Sequence, residues 1–383
     1  MNVLTVQPVA KLRKKRVRHL QRDKAEKLGL KLKELVWAGY WDTSDGYGYS
    51  NNLICLELLK RGYNIEPKWH ENCNSINMSK YKAIRDLKSN NILNPQIVFA
   101  YLMGIDINVL VDPDIRVLIA YSMWEATEIP PSWVAFFNHA DRLLVPSTFC
   151  RESFYNSGVT NTEIDVVNLP VNTEIFTYHK RKFSKPFKFL FISTPVKRKG
   201  IDVLIKAFMN IFKGNNDVRL HLHTRTWVAN PNPILDEMLK LSMHDNRISW
   251  SFDAKDDREI SIMLKNHHCL IQPSRGEGFG MVPAQALSTG MPVIATGAHA
   301  HLDFLSDENA FLISIKGKED CNHPFYREGQ WFIPSQESLE IQMQEVYSKY
   351  HYALCKAKQG SIFIQNFSVE HVADKIEDII KEY

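Results

Sequence analysis

Residues 273–296 read PSRGEGFGMVPAQALSTGMPVIAT, and the reading of the fold starts there. Three glycines, Gly276, Gly278 and Gly280, stand just ahead of the apolar run Met281–Ser288, which Gly290 closes as a helix C-terminal glycine does. Cys269–Gln272 before the loop and Pro292–Thr296 after the helix are apolar runs of strand length. Strand, glycine loop, helix and strand make a βαβ unit, and such units build parallel sheets. Glycines let backbone amides approach an anion, and a helix start offers unpaired N–H groups at the positive end of its dipole. Glu277, inside the loop, is a carboxylate suited to accept from sugar hydroxyls, and Gln285 stands eight residues further on, inside the helix. Taken alone, the loop is equally compatible with glycines that merely turn the chain.

Upstream, STPVKRKGID at residues 193–202 places Lys197, Arg198 and Lys199 in a strand-to-helix loop with Gly200 opening the helix. Fixed cations beside a helix start suit a diphosphate, although a basic loop is often only solvated. The chain has no G-x-x-x-x-G-K-[ST], which excludes a P-loop nucleotidase. Strand and helix patterns alternate around both loops. Strands are predicted at Phe187–Ser193, Val218–Thr224 and Arg247–Phe252, and helices at Ile201–Phe212, Ile234–Ser242, Asp256–Asn266 and Ser368–Lys381.

The amino-terminal half repeats the theme. Leu35–Tyr40 reads as a buried strand, Asp45-Gly46-Tyr47-Gly48 as a breaker, and Ser50 or Asn51 as the cap of a helix that Gly62 ends. Further strands are predicted at Ile97–Tyr101, Arg116–Tyr121, Arg142–Pro146 and Ile164–Asn168, with helices at Pro131–His139 and Thr148–Ser157. A chain of 383 residues is too long for one core. The domain reading is a basic extension at 1–33, a first α/β domain at 34–176, a polar linker at 177–186, a second α/β domain at 187–365 and a last helix at 366–383. In open parallel sheets ligands sit beyond the carboxyl ends of the strands, so the cleft between two such domains is the expected site.

Hydrophobic residues are 44% of the chain and charged residues 23%, which excludes collagen-like, coiled-coil and wholly disordered classes. No run of about 18 apolar residues occurs, the amino terminus lacks a signal-peptide pattern, and the six cysteines form no Cys-x-x-Cys pair. A soluble cytoplasmic protein is the expectation. The net charge of +4 is uneven: residues 1–33 carry 11 bases against 2 acids, and the remainder 36 against 41. That segment reads as a solvated helix, or as a patch for anionic lipid headgroups or nucleic acid at residues 11–33.

The two loops in this order, with the amino-terminal glycines, carry a family resemblance. GYGYSNNLICLELLKRGYNI, WEATEIPPSW with DRLLVPSTFCRESFYNSGV, FLFISTPVKRKGIDVLIKAF and PSRGEGFGMVPAQALSTGMPVIAT together resemble the retaining, metal-independent GT-B glycosyltransferases with the E-x7-E signature. The resemblance implies two Rossmann-like domains, an acceptor domain followed by a donor domain, with a last helix crossing back to the first. It implies transfer of a sugar from a nucleotide-diphosphate sugar, most simply UDP- or GDP-linked, with no metal and no other cofactor. Arg198 and Lys199 would neutralise the diphosphate, and Glu277 would bind sugar hydroxyls. The amides of Gly278, Phe279 and Gly280 would hold the donor, Gln285 the ribose, and Gly46 and Gly48 would let the first domain close on it. Glu125 and His301 are candidates for the acceptor side. Two positions depart from the family pattern: Gln285 replaces the second Glu, and Thr194 replaces an Arg whose charge Arg198 would supply.

Other motifs are set aside. Asp112-Pro-Asp114 has the Asp-x-Asp spacing of manganese-dependent transferases but reads here as a turn. His139 reads as a helix-end residue, and His267-His268 lacks metal-ligand partners. Two rival functions stay open: a nucleic-acid-modifying glycosyltransferase that uses the basic segment, and a sugar-nucleotide-binding protein without catalysis.

Overall fold

The computed structural model of the chain describes residues 33–42, 46–68, 79–87, 90, 92, 97–104, 117–224, 233–321, 326 and 328–383. The basic stretch up to residue 32, Asp45 and Asp112-Pro-Asp114 lie outside them. The strands are β1 Glu34–Gly39, β2 Asn64–Lys68, β3 Ile97–Tyr101, β4 Val117–Tyr121, β5 Arg142–Val145, β6 Glu163–Val166, β7 Phe187–Ile192, β8 Val218–His223, β9 Ile248–Ser251, β10 Cys269–Gln272, β11 Val293–Thr296, β12 Phe311–Ile313, β13 Ile315–Asp320 and β14 Gln330–Pro334.

They form two six-stranded α/β sheets, ordered β2-β1-β3-β4-β5-β6 and β12-β11-β10-β7-β8-β9, with β13 and β14 as a separate antiparallel hairpin. Every pairing in the second sheet is parallel, as are β1–β2, β1–β3 and β5–β6 in the first. The strands β10 and β11 are buried along their whole length, because helices must cover both faces of a parallel sheet. Counted within its own half of the chain, the second sheet has the order 6-5-4-1-2-3 of a dinucleotide-binding fold. Its strand order therefore reverses between β7 and β10, and ligands bind at such a switch point. The two loops picked out in the sequence are the ones that leave β7 and β10.

The described residues of 1–101, 109–119 and 373–383 make one compact unit, and those of 102–108 and 120–372 another. In the first, Arg61 binds Asp374 at 2.6 Å and Glu377 at 3.1 Å, which ties part of the last helix, Val369–Lys381, to the end of the helix Gly46–Lys60. In the second, Phe187, Phe189, Phe191, Leu204, Phe208, Leu220 and Ile271 belong to one core. Arg181 is buried in this unit and donates to the backbone carbonyls of Leu264 and Thr289, the exposed ends of two helices that a cation complements.

Most predicted elements appear within a residue or two of their expected ends. One boundary moves: the helix begins at Gly46 rather than after Ser50, so both glycines lie in its first turn. Ser50 Oγ donates back to Gly46 O at 2.6 Å and Asn52 Nδ2 to Gly48 O at 2.6 Å, bonds that suit helical residues rather than a cap. Gly46 faces open space, whereas a Cβ on Gly48 would lie 1.6 Å from Asp42 O. Residues 297–367 were not assigned from the sequence. They hold β12, the hairpin, and the helices Gln336–Ser348 and Tyr350–Phe363. No helix among the described residues is long and apolar enough to cross a membrane.

The Gly48 contact is with backbone, which cannot swing aside. Replacement Gly48→Ala is therefore expected to lower unfolding free energy by about 3 kcal/mol or more, read by urea denaturation. Gly46→Ala, in open space within a helix, is expected to be neutral or stabilising by up to about 1 kcal/mol. Equal effects from the two variants would contradict this packing.

Candidate functional site

The loop after β7 ends in a short turn, Lys197–Lys199, and the loop after β10 carries Arg275 and Glu277. Arg275 stitches the two together. Its amide donates to Arg198 O at 2.6 Å, and its guanidinium grips both oxygens of Asp202 at 2.8 Å and Lys197 O at 2.6 Å. A bidentate fork of this kind fixes orientation as well as charge. Arg275 is thus a scaffold residue that the sequence reading did not single out.

On that scaffold the three expected charged residues meet. Lys199 Nζ lies 2.8 Å from both carboxylate oxygens of Glu277, and Arg198 Nη1 lies 3.4 Å from Oε2 and donates to Gly276 O at 2.7 Å. Ser274 Oγ donates to Glu277 Oε1 at 2.7 Å. Arg198 also reaches Glu125, at 3.6 Å, and stacks over the Tyr326 ring, whose hydroxyl donates to Glu125 at 2.9 Å. Glu125, expected on the acceptor side, is therefore a neighbour of the charged cluster. Tyr326 joins it from a stretch with no readable motif.

The side chains of Arg198, Lys199 and Glu277 are nearly buried, so their charges are felt strongly. Burial alone would raise the Glu277 carboxyl, yet Lys199 and Arg198 outweigh it and hold it well below the usual carboxylate range. Burial, and then the neighbouring Arg198 charge, lower Lys199, against the opposing pull of Glu277. Burial also works against Arg198, but Tyr326, Glu125 and Glu277 raise it above its ordinary value. Counting Glu277 and Glu125 against Arg198 and Lys199, the cluster is formally neutral.

Beside it, the amides of Gly278, Phe279 and Gly280 make no hydrogen bond to a described residue, and Gly280 starts the helix Met281–Ser288 without a side-chain cap. These are the donors expected at a phosphate or sugar site. The loop's close packing also needs its glycines: a Cβ on Gly276 would lie 2.1 Å from Glu125 O. Ser147 Oγ donates to Gly278 O at 2.8 Å and holds the loop from the other side. Gln285 is buried in the helix, and neither its side chain nor that of Thr194 hydrogen-bonds to a described residue. Gly46 and Gly48 belong to the other compact unit.

A further set of groups went unnoticed in the sequence because no motif marks it. Thr224 Oγ1, Gln272 Oε1 and Thr296 Oγ1, at the carboxyl ends of β8, β10 and β11, are buried without a hydrogen-bond partner among the described residues. So are His299 Nδ1 and Nε2 of His301, the residue that the sequence reading placed on the acceptor side. Unpaired polar atoms cost about 1–3 kcal/mol each when buried, and their concentration at one edge of one sheet points to a ligand there. The His139 ring, by contrast, bonds back to Ala135 O in the helix just before it. His267 bonds to Met263 O and His268 to Ser184 and the Lys188 amide, so both serve the fold. No group of three or more metal-ligating side chains is assembled among the described residues.

Residues 173–322 match the sequence profile of the family described as Glycosyl transferases group 1. An uncharacterized glycosyltransferase of Methanocaldococcus jannaschii is 30% identical over 168 residues, 42% of this chain and 42% of that protein. The aligned part thus spans under half the length of this curated relative. Across nearly the whole chain the fold is that of the GT-B glycosyltransferases. Sucrose-phosphate synthase of Thermosynechococcus elongatus superposes with a TM-score of 0.69 at 12% identity, covering 91% of this chain and 98% of its own. Anabaena HepE in complex with UDP-glucose superposes with 0.67 at 14%, covering 91% and 100%.

Replacing Glu277 by Gln leaves Lys199 and Arg198 without their main counter-charge, a loss of about 3–5 kcal/mol for a buried pair. Because the folded carboxyl is depressed, its contribution is complete above the unfolded value of about 4.3 and fades as pH falls below it. Urea denaturation of parent and Glu277→Gln is therefore expected to show a large gap at pH 7 that narrows toward pH 3. A gap that is constant or widens on acidification would contradict the assignment. Inorganic pyrophosphate should narrow it at pH 7 by supplying the missing negative charge.

Proposed function

We propose that this chain is a glycosyltransferase that moves a sugar from a nucleotide-diphosphate sugar to an acceptor hydroxyl, with retention of configuration and without a metal ion. The observation that carries the reading is the meeting of Lys199, Arg198 and Glu277 beside unbonded loop amides at the switch point of the second sheet. The matched glycosyl transferases group 1 segment covers both loops. The complex of Anabaena HepE with UDP-glucose supports a sugar nucleotide as the donor.

Breaking the sugar–phosphate bond leaves negative charge on the departing diphosphate, and fixed cations stabilise that charge in the transition state. Lys199 and Arg198 supply those cations. The amides of Gly278, Phe279 and Gly280 add dipoles that need no rearrangement during reaction. In the neutral cluster the diphosphate gains its cations by exchange with a carboxylate, and Glu277, once relieved, turns its oxygens to the hydroxyls of the sugar. Gln285 offers an amide oxygen to the ribose in place of a carboxylate, and Thr194 leaves the second charge to Arg198. Gly46 and Gly48 are assigned to domain closure and Glu125 to the acceptor side. A cytoplasmic setting belongs to the same reading. The basic segment at residues 11–33 is assigned to an anionic surface, a membrane headgroup layer before nucleic acid.

A thermal-shift screen against UDP, GDP, ADP and their hexose conjugates is expected to single out one base, with the same shift in EDTA and in magnesium. At 100 times its dissociation constant a ligand stabilises by about 2.7 kcal/mol. Lys199→Ala should lower turnover about 10²- to 10³-fold, while Gln285→Glu should change it less than about tenfold. No nucleotide shift at all would contradict the reading, and a shift with no turnover toward any acceptor or water would favour the non-catalytic alternative.

A further inference from the structure

Directly after β11 the chain runs Gly297-Ala298-His299-Ala300-His301. His299 has φ of 49°, and it is the one non-glycine residue with positive φ among the described residues. A histidine there is held against its backbone preference, and such outliers gather at functional sites. His299 and His301 are both buried, with ring centroids 4.4 Å apart.

Backbone carbonyls fix the tautomer of each ring. His299 Nε2 lies 3.2 Å from Ser274 O, and His301 Nδ1 lies 3.1 Å from Thr296 O. A carbonyl only accepts, so these nitrogens carry the protons. Burial keeps both rings neutral, lowering His301 to about 4 and holding His299 well below its ordinary value. The other nitrogens, His299 Nδ1 and His301 Nε2, are then bare lone pairs, and these are the two that lack a partner. A bare lone pair repels a phosphate oxygen and accepts from a hydroxyl. Ser274 joins the pair to the charged cluster, since its carbonyl meets His299 and its hydroxyl meets Glu277.

We propose that His299 and His301, with Glu277, form an all-acceptor subsite that takes the hydroxyl groups of the transferred sugar, while Lys199, Arg198 and the loop amides take the diphosphate. This rests on the donor-site reading above and divides that site into a hydroxyl end and a phosphate end.

The test measures, by calorimetry, the affinities of His299→Asn and His301→Phe for UDP and UDP-glucose, GDP and GDP-mannose, or ADP and ADP-glucose, whichever pair binds the parent chain. Asparagine tolerates positive φ, and phenylalanine keeps a flat aromatic ring while removing the nitrogen lone pair. Each variant is expected to bind the hexose conjugate at least tenfold more weakly, while the bare diphosphate changes less than twofold. A role confined to folding would weaken both ligands alike. Equal losses, or no loss for the conjugate, would overturn the subsite while leaving the donor-site reading in place. If no ligand of the three pairs binds the parent chain, the donor-site reading fails and the subsite falls with it.

Discussion

The contact on which the site depends is the ion pair of Lys199 with Glu277. Two loops leave neighbouring strands at the point where the second sheet reverses its order, one bringing cations and the other a carboxylate. Separately, each side chain would lose its hydration on burial with nothing in return. Together they satisfy one another, and Arg198, Ser274 and the Gly276 carbonyl complete the network. With the Arg275 contacts, the pair fixes the relative position of the two loops. In the proposed function, this pair holds in a neutral form the positive charge that the donor's diphosphate would draw on.

Around that pair the structure spends its irregular features. Arg275 anchors the loops through Asp202, Gly276 admits the backbone of Glu125 at a distance no other residue would allow, and His299 sits at positive φ. Each is a local compromise at the carboxyl edge of one sheet. The rest of that domain is conventional: strands buried on both faces, and helices whose apolar residues face them. A rigid frame with its strain gathered at one edge is suited to hold groups in place for charge stabilisation.

Much of this was legible in the sequence. Apolar runs bounded by glycine and proline marked the strands of both sheets except β2 and β12, and the two loops announced themselves by residue type. Glu277, Arg198 and Lys199, each singled out by residue type, are brought into contact with one another. What the sequence concealed falls into two kinds. Residues 297–367 were passed over although Leu339, Met343, Val346, Tyr350 and Ala353 recur at helical spacing, a period that was available to be read. Tyr326, Ser274 and His299 were hidden for a better reason, and His301 was read only as an acceptor-side candidate. Their roles come from tertiary placement, and one buried histidine looks like any other until its partners are known. The start of the helix at Gly46 was misjudged because glycine is a poor helix former on its own account, while the packing against Asp42 that selects Gly48 is a contact between segments.

The central claim is that the Lys199–Glu277 pair marks the diphosphate end of a sugar-nucleotide site. The most direct measurement is a crystal structure of the chain with the nucleotide sugar that it binds. The account predicts the diphosphate oxygens within hydrogen-bond distance of Lys199, Arg198 and the amides of the Gly278–Gly280 loop, with the sugar hydroxyls on Glu277. A nucleotide seated elsewhere, with Lys199 still closed on Glu277 and no phosphate at either cation, would contradict it.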